Sequence, residues 1–92
     1  MRSDMNAILK EEFRCLAIRT RDRMGLTQNK MAEGLAMNEA SYSVIETGVY
    51  KCGTLTAILL LMMQEDPREF LNKISNRFKE LEEDYEKEDG KL

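Results

Sequence analysis

The chain has 92 residues, of which 42% are hydrophobic and 34% are charged, with two cysteines, no histidine and no tryptophan. This composition predicts one small soluble domain with a single core, and it excludes Ser-His or Cys-His triads and histidine-containing zinc or haem sites. Because Cys15 and Cys52 are too few for a disulfide framework, we expect a reduced, cytoplasmic protein. We also expect no enzymatic activity, no cofactor and no metal.

The net charge of −3 is distributed unevenly along the chain. Residues 1–53 carry eight basic and seven acidic side chains, whereas residues 54–92 carry six basic and ten acidic ones. A contact with an anionic partner is therefore expected in the first half, with the acidic C-terminal part directed away from it. The most apolar run, residues 55–63, is interrupted by Thr56 and is far shorter than the ~20 residues of a membrane-spanning helix. We expect it to form a buried core helix, and we expect no membrane contact.

Every periodic segment of the chain has the helical period, so an all-α fold is predicted. The first helix is expected to begin after an Asp4 cap and to end near residue 24, where Gly25 suits the left-handed position that follows a helix. The apolar stripe of this helix has near-helical spacing. It consists of Met5, Leu9, Phe13, Leu16 and Ala17.

The next two helices are short and are joined by a tight turn. Thr27 is expected to cap the second helix, over residues 28–35, and Asn38 to cap the third, which ends near Thr47. The buried faces of these helices are expected to contain Met31, Ala32, Leu35, Tyr42 and Ile45. This segment therefore has the outline of two helices packed against each other.

The fourth helix is the apolar one, with Thr54 as its cap, and the fifth begins at an Asp66 cap followed by Pro67. The fifth helix is predicted over residues 67–87, a length of ~31 Å. Its apolar side chains follow the alternating spacing of three and four residues that forms a heptad seam. They are Leu71, Ile74, Phe78, Leu81 and Tyr85.

Two interpretations of this seam stay open, which are packing on the first helix and pairing of two chains in a homodimer. Residues 88–92 are expected to fray. The sequence thus divides into a helical domain over residues 1–65 and a long C-terminal helix with an acidic tail over residues 66–92.

Function is best inferred from residues 21–48, where two short capped helices joined by a turn form a helix-turn-helix pattern. The informative residues are Arg21, Gly25, Leu26, Thr27, Gln28, Met31, Ala32, Leu35, Ile45, Glu46, Thr47 and Gly48. In this order and spacing, the segment resembles the Cro/cI-type (Xre) helix-turn-helix family of phage and bacterial repressors. The resemblance covers roughly residues 15–71 and implies a five-helix, lambda-repressor-like domain, here with an extended C-terminal helix.

The resemblance also implies roles for individual side chains. Gln28 would donate to a DNA phosphate or an outer base, and Arg21 and Glu46 would form an ion pair between the first and third helices. Thr47 and Lys51 would lie where the loop after the third helix meets the phosphate backbone. The positions that would read bases are Asn38, Glu39, Ala40, Ser43 and Val44.

The third helix departs from the family pattern, because it has no basic residue and two glutamates. Relatives commonly carry Arg, Lys, Gln or Asn at several base-reading positions, since these side chains read guanine and adenine edges. Here Glu39 could accept a hydrogen bond from cytosine N4, and Ala40 and Val44 could contact thymine methyl groups. The same side chains would also suit a small contact with another protein.

Two hypotheses follow from these observations. The leading one is a sequence-specific transcriptional regulator, expected to be a repressor, that binds duplex operator DNA as a homodimer through its third helix. The alternative is a helix-turn-helix protein without DNA affinity that binds a protein partner, either another regulator or a toxin. Steep salt dependence of binding to DNA would distinguish the first hypothesis from the second.

Overall fold

The computed structural model describes the backbone of residues 1–90 and the side chains of residues 1–88. Within this part of the chain the fold is all-helical, which confirms the predicted class of five helices without strands. The helices are α1 (Arg2–Met24), α2 (Gln28–Gly34), α3 (Glu39–Glu46), α4 (Thr54–Met62) and α5 (Pro67–Gly90). None of the described helices is long and apolar enough to cross a membrane.

Three helix ends differ from the sequence prediction. Because α1 begins at Arg2, Asp4 lies in its first turn and does not cap it. The N-cap of α4 is Gly53, whose carbonyl accepts the first helical hydrogen bond, so Thr54 is already helical. The fifth helix includes residues 88–90, which were expected to fray. The last two residues of the predicted tail, 91 and 92, lie outside the described part of the chain.

The two long helices, α1 and α5, pack side by side and run in opposite directions. Near the start of α5, the rings of Phe13 and Phe70 have centroids 4.8 Å apart and are tilted by 59°. Near its other end, the Tyr85 hydroxyl donates a hydrogen bond to the Asp4 carboxylate. The first turn of α1 therefore contacts α5, which explains why α1 begins before its predicted start.

Glu12 is a buried carboxylate between these two helices. Its Oε1 accepts a hydrogen bond from Arg77 Nη1 at 3.2 Å, and Lys73 Nζ lies 3.2 Å from its Oε2. Two cations one turn apart on α5 thus compensate the buried negative charge, which would be strongly unfavourable without a partner. This contact has no signal in the local sequence, because Glu12 and Arg77 are 65 residues apart.

The predicted seam of α5 is divided between the core and the surface. Ile74 is buried and Phe78 packs against the core, whereas Leu81 and Tyr85 are half-buried. Leu71 remains 49% exposed. Because α5 packs chiefly on α1, the structure favours internal packing of the seam, and pairing of two chains through it stays a prediction.

All five helices contribute to one hydrophobic core. Its buried members are Leu16, Ala17, Met31, Ala32, Leu35, Tyr42, Leu60, Phe70 and Ile74. The largest fully buried side chain is Tyr42 of α3. The core therefore holds the α2–α3 unit directly against α1.

The apolar helix α4 is buried on one side only, which contradicts the prediction of a buried core helix. Thr56 and Leu60 face the core, whereas Leu55, Ile58 and Met62 are 64%, 51% and 73% exposed. A short helix at the edge of a small domain can bury only the side that contacts its neighbours. Since apolar residues occur all around α4, composition does not indicate which side that is.

Two identical substitutions on α4 test this assignment of faces. Leu60→Ala removes a fully buried side chain, so the free energy of unfolding should fall by about 2–5 kcal/mol. Leu55→Ala removes an exposed one and should change it by less than about 0.5 kcal/mol. Chemical denaturation followed by circular dichroism, at low micromolar protein, measures both values. Equal losses would mean that α4 is not oriented as described.

Candidate nucleic-acid interface

The α2–α3 unit is a helix-turn-helix in which each helix begins with a side-chain cap. Thr27 Oγ1 accepts a hydrogen bond from the backbone N–H of Lys30 at 3.1 Å, and Asn38 Oδ1 accepts one from that of Ser41 at 2.8 Å. Both caps that were predicted from the sequence are therefore present. In the turn between the helices, Ala36 has a φ of +56°, a left-handed conformation that is uncommon for residues other than glycine.

The ion pair between Arg21 and Glu46 connects α1 to the last turn of α3. Arg21 Nε lies 2.6 Å from Glu46 Oε2, and Arg21 Nη2 lies 3.0 Å from Oε1. The two parallel hydrogen bonds make the pair bidentate, which is the strongest geometry for these groups. The Glu46 side chain is 8% exposed and that of Arg21 is 27% exposed. The ion pair implied by the resemblance is thus present and largely buried.

Two further side chains surround the Glu46 carboxylate. Gln28 Nε2 donates a hydrogen bond to Glu46 Oε1 at 3.1 Å, and the buried phenol of Tyr42 lies beside the pair. Burial is the largest cause that raises the pKa of Tyr42 above its ordinary value, and the neighbouring Glu46 carboxylate raises it further. Burial also opposes ionisation of Glu46, but Arg21, the Tyr42 hydroxyl and Gln28 together outweigh it, so the pKa of Glu46 is lowered.

This network changes the electrostatics of α3. One of the two glutamates of the helix, Glu46, is neutralised by Arg21 on the inner side. The other, Glu39, is exposed in the first turn. The outer surface of α3 therefore carries a single negative charge, and not the two that the sequence alone indicates.

The predicted base-reading side chains lie together on and beside α3. Ala40, Ser43 and Val44 share a face because they are three and four residues apart, and Ala40 is exposed while the other two are half-buried. Glu39 lies beside them in the first turn. The side-chain oxygen of Asn38 is already engaged in the N-cap of α3. The outer face of α3 thus consists of small side chains and one carboxylate.

The loop after α3 carries the predicted phosphate contacts. Thr47 and Lys51 are both exposed, and the Thr47 hydroxyl donates a hydrogen bond to the Val44 carbonyl at 3.2 Å. Gly48 has a φ of +81°, so a side chain here would strain the turn that directs the chain away from α3. These positions form one edge of the α3 face.

Lys10 of α1, which was not among the predicted contact residues, lies at the same edge. It lines one surface groove together with Lys51 and a second groove together with Thr47 and Gly48. The structure thus adds a second lysine to the neighbourhood of the loop. No local pattern could have indicated it, because Lys10 precedes the segment that resembles the repressor family and reaches the loop only through the packing of α1.

Arg14, one turn after Lys10, was also not predicted. Its Nη1 donates to the backbone carbonyl of Glu46 at 3.3 Å, which is one of the carbonyls that a helix end leaves without a partner. Its other guanidinium nitrogens bind Glu11 at 2.8 and 3.0 Å, and this contact lowers the pKa of Glu11 to about 2. Arg14 and Arg21 therefore both connect α1 to the C-terminal end of α3.

Comparison with known proteins assigns no family to the chain. No protein-family model, curated protein or solved structure matches it. The resemblance to the Cro/cI-type repressors accordingly depends on the residues of the helix-turn-helix segment and stays a prediction.

The network around Glu46 predicts a pH-dependent contribution to stability. Because the folded-state pKa of Glu46 is lowered, this contribution is fully present above the ordinary value of 4.5 and is lost as the pH falls through the folded-state pKa. At pH 7, Glu46→Gln should lower the free energy of unfolding by about 1–3 kcal/mol, less than for a fully buried pair because Arg21 keeps part of its hydration. Denaturation of both proteins between acidic and neutral pH measures this difference, which should shrink toward acidic pH.

The matched control for this measurement is Glu33→Gln on α2. The Glu33 carboxylate is exposed and pairs with an exposed Lys30, so its replacement should change the free energy of unfolding by less than about 0.5 kcal/mol at pH 7. If Glu46→Gln lowered the free energy of unfolding equally at acidic and neutral pH, this would contradict the assigned role of the ionised carboxylate.

Proposed function

We propose that this protein is a DNA-binding transcriptional regulator, acting as a repressor, that places α3 in the major groove of duplex DNA. The observation that carries the proposal is the α2–α3 unit, which the buried Arg21–Glu46 pair attaches to α1. The eight residues of α3 span ~12 Å, and small side chains cover its outer face. A helix with its side chains is ~10–12 Å in diameter, so one whose outer face carries small side chains can enter a groove ~12 Å wide.

Phosphate contacts are assigned to side chains of the elements that adjoin α3. Lys51 and Thr47 lie in the loop that follows the helix, and Lys10 lies beside them. Gln28 at the start of α2 is oriented by its hydrogen bond to Glu46 and has a second amide hydrogen to donate. Contacts to phosphates set the position of a protein on DNA, but they do not read its sequence.

Base contacts are assigned to the outer face of α3. Ala40 and Val44 offer methyl groups to thymine, Ser43 can donate or accept, and Glu39 can accept from cytosine N4. The exposed Glu39 also repels the phosphate backbone, so binding to an arbitrary sequence should be weak. Specificity would then depend on the few base contacts more than on charge.

A homodimer on an inverted repeat completes the proposal. Two-fold symmetry of the protein would match a palindromic site, with half-site centres about one helical turn, ~34–36 Å, apart. Dimerisation would double the number of base contacts, which matters for a subunit that presents only a few.

The alternative function is a protein-interaction module without DNA affinity. The observation that favours it is the absence of any basic side chain on α3, together with the exposed carboxylate of Glu39. The face containing Ala40 and Val44 would then contact a protein, either another regulator or a toxin.

Selection from random duplex DNA tests the proposal against this alternative. A palindromic sequence should be enriched, and the salt dependence of its binding should correspond to only ~2–4 phosphates neutralised per subunit, because few cations surround α3. An absence of enrichment, together with no binding to any DNA at low salt, would reject the proposal and favour the interaction module.

Single substitutions should separate phosphate contacts from base contacts. Lys10→Gln and Lys51→Gln should each weaken binding to all sequences about equally and reduce the salt slope by about 1. Val44→Ala should instead change the preference at one thymine more than it changes overall affinity. Quantitative binding assays on the selected site and on single-base variants measure these effects.

The control for the lysine variants is Arg68→Gln, which removes an exposed cation near the start of α5. Since this residue lies beyond the opposite end of α4 from Lys51, its replacement should leave the affinity and the salt slope unchanged. If Arg68→Gln reduced DNA affinity as much as Lys51→Gln does, binding would depend on net charge and not on the lysines beside α3.

A further inference from the structure

The helix α4 exposes an apolar stripe that no other part of the described chain covers. Leu55, Ile58 and Met62 are half to three-quarters exposed, and their spacing of three and four residues places them on one face. The opposite side of the helix carries Thr56 and Leu60 into the core. Helix α4 contains no charged residue. No charged side chain of the helix therefore accounts for the exposure of this apolar face to solvent.

Exposed apolar side chains are concentrated around this stripe. Of the eight large hydrophobic residues that are exposed in the described chain, five lie within residues 49–62. Single exposed hydrophobic residues are common on soluble proteins, whereas a cluster usually marks a contact surface. On α5, by contrast, Leu71 is the one exposed large hydrophobic residue of the predicted seam.

We propose that the α4 stripe is the surface through which two copies of this chain associate, with the two α4 helices packed antiparallel. The stripe is nearly symmetric about its middle. Reversal of one helix places Leu55 of one copy opposite Met62 of the other, and the two Ile58 side chains lie near the two-fold axis. The contact between Leu55 and Met62 is then made twice, as a two-fold interface requires.

Charge distribution favours the antiparallel arrangement over the parallel one. Lys51 precedes the N-terminus of α4, which is the positive end of its dipole, and the exposed Glu65 follows the negative C-terminus. Asp66 follows it too, but its carboxylate is already paired with Arg68. In an antiparallel pair, the basic end of one helix lies near the acidic end of the other. A parallel pair would place like charges side by side.

The size of the stripe predicts weak association. The nine residues of α4 extend over only ~14 Å, and a standard stable interface covers about 800 Å² on each partner. Val49 and Tyr50, both exposed in the loop before α4, would enlarge the contact. We therefore expect a dissociation constant in the micromolar range or weaker. The idea that this weak dimer forms fully when two copies bind adjacent DNA half-sites rests on the proposed function. The self-association of the chain in solution does not.

Sedimentation of the full chain tests the proposal without DNA. From low micromolar to near-millimolar concentration, the protein should pass from monomer to dimer. Met62→Glu replaces the most exposed side chain of the stripe with a charge and should raise the dissociation constant at least tenfold. Leu71→Glu, an equally drastic change at an exposed position of α5, is the matched control and should leave it unchanged. Circular dichroism verifies that both variants remain folded.

Two outcomes would overturn the proposal. A chain that stays monomeric over the whole range would show that the stripe does not bind a second copy. Dissociation by Leu71→Glu but not by Met62→Glu would assign the interface to the α5 seam. Because these measurements contain no DNA, they are independent of the proposed function, which fails separately if an intact dimer binds no DNA.

Cysteine cross-linking tests the antiparallel geometry. Under mild oxidation, Ile58→Cys should form a disulfide-linked dimer with itself, since both copies of this residue lie near the axis. A mixture of Leu55→Cys and Met62→Cys should cross-link between the two variants more than within either one. The unmodified chain, with Cys15 and Cys52 both half-buried, sets the background. Preferential linkage of Leu55→Cys to itself would contradict the arrangement.

Discussion

The ion pair between Arg21 and Glu46 is the interaction on which the position of α3 depends. A carboxylate buried at the end of this helix would be strongly unfavourable without a counter-charge, and Arg21 supplies that charge from α1 through two hydrogen bonds. The same carboxylate accepts a hydrogen bond from Gln28 at the start of α2. Since Asn38 caps the other end of α3, both ends of the helix are held, and its outer face is presented as one rigid surface.

The sequence predicted those parts of the fold that depend on neighbouring residues. Thr27 and Asn38 act as caps because their side chains reach backbone groups three residues away, and Gly25 adopts the expected left-handed conformation. Asp4 has the same capping chemistry but a different role, because helix α1 begins before it and its carboxylate accepts a hydrogen bond from Tyr85, 81 residues away. Local signals thus identify helices reliably, but tertiary contacts decide where their outer ends lie.

For the same reason, only part of the candidate interface could be predicted from the sequence. The helix-turn-helix pattern indicated the side chains of α3 and the ion pair behind them, since these belong to one continuous segment. Lys10 reaches the loop near Lys51 only because α1 packs across the domain, and Glu12 is compensated only by cations on α5. Charges counted along the sequence therefore misstate the charge at the surface, as the neutralised Glu46 of α3 also shows.

The two apolar segments differ most from their predicted roles. The heptad spacing of α5 indicates a seam but not its partner, and α1, almost equally long, covers much of it within the same chain. Helix α4, which looked like core, is left with an uncovered stripe. Residues 47–53 connect α3 directly to α4, and Lys51 lies only four residues before Leu55. If two copies associate through α4, this short connection sets the separation of their α3 helices, and the geometry of the dimer then determines which spacing of half-sites the pair can contact.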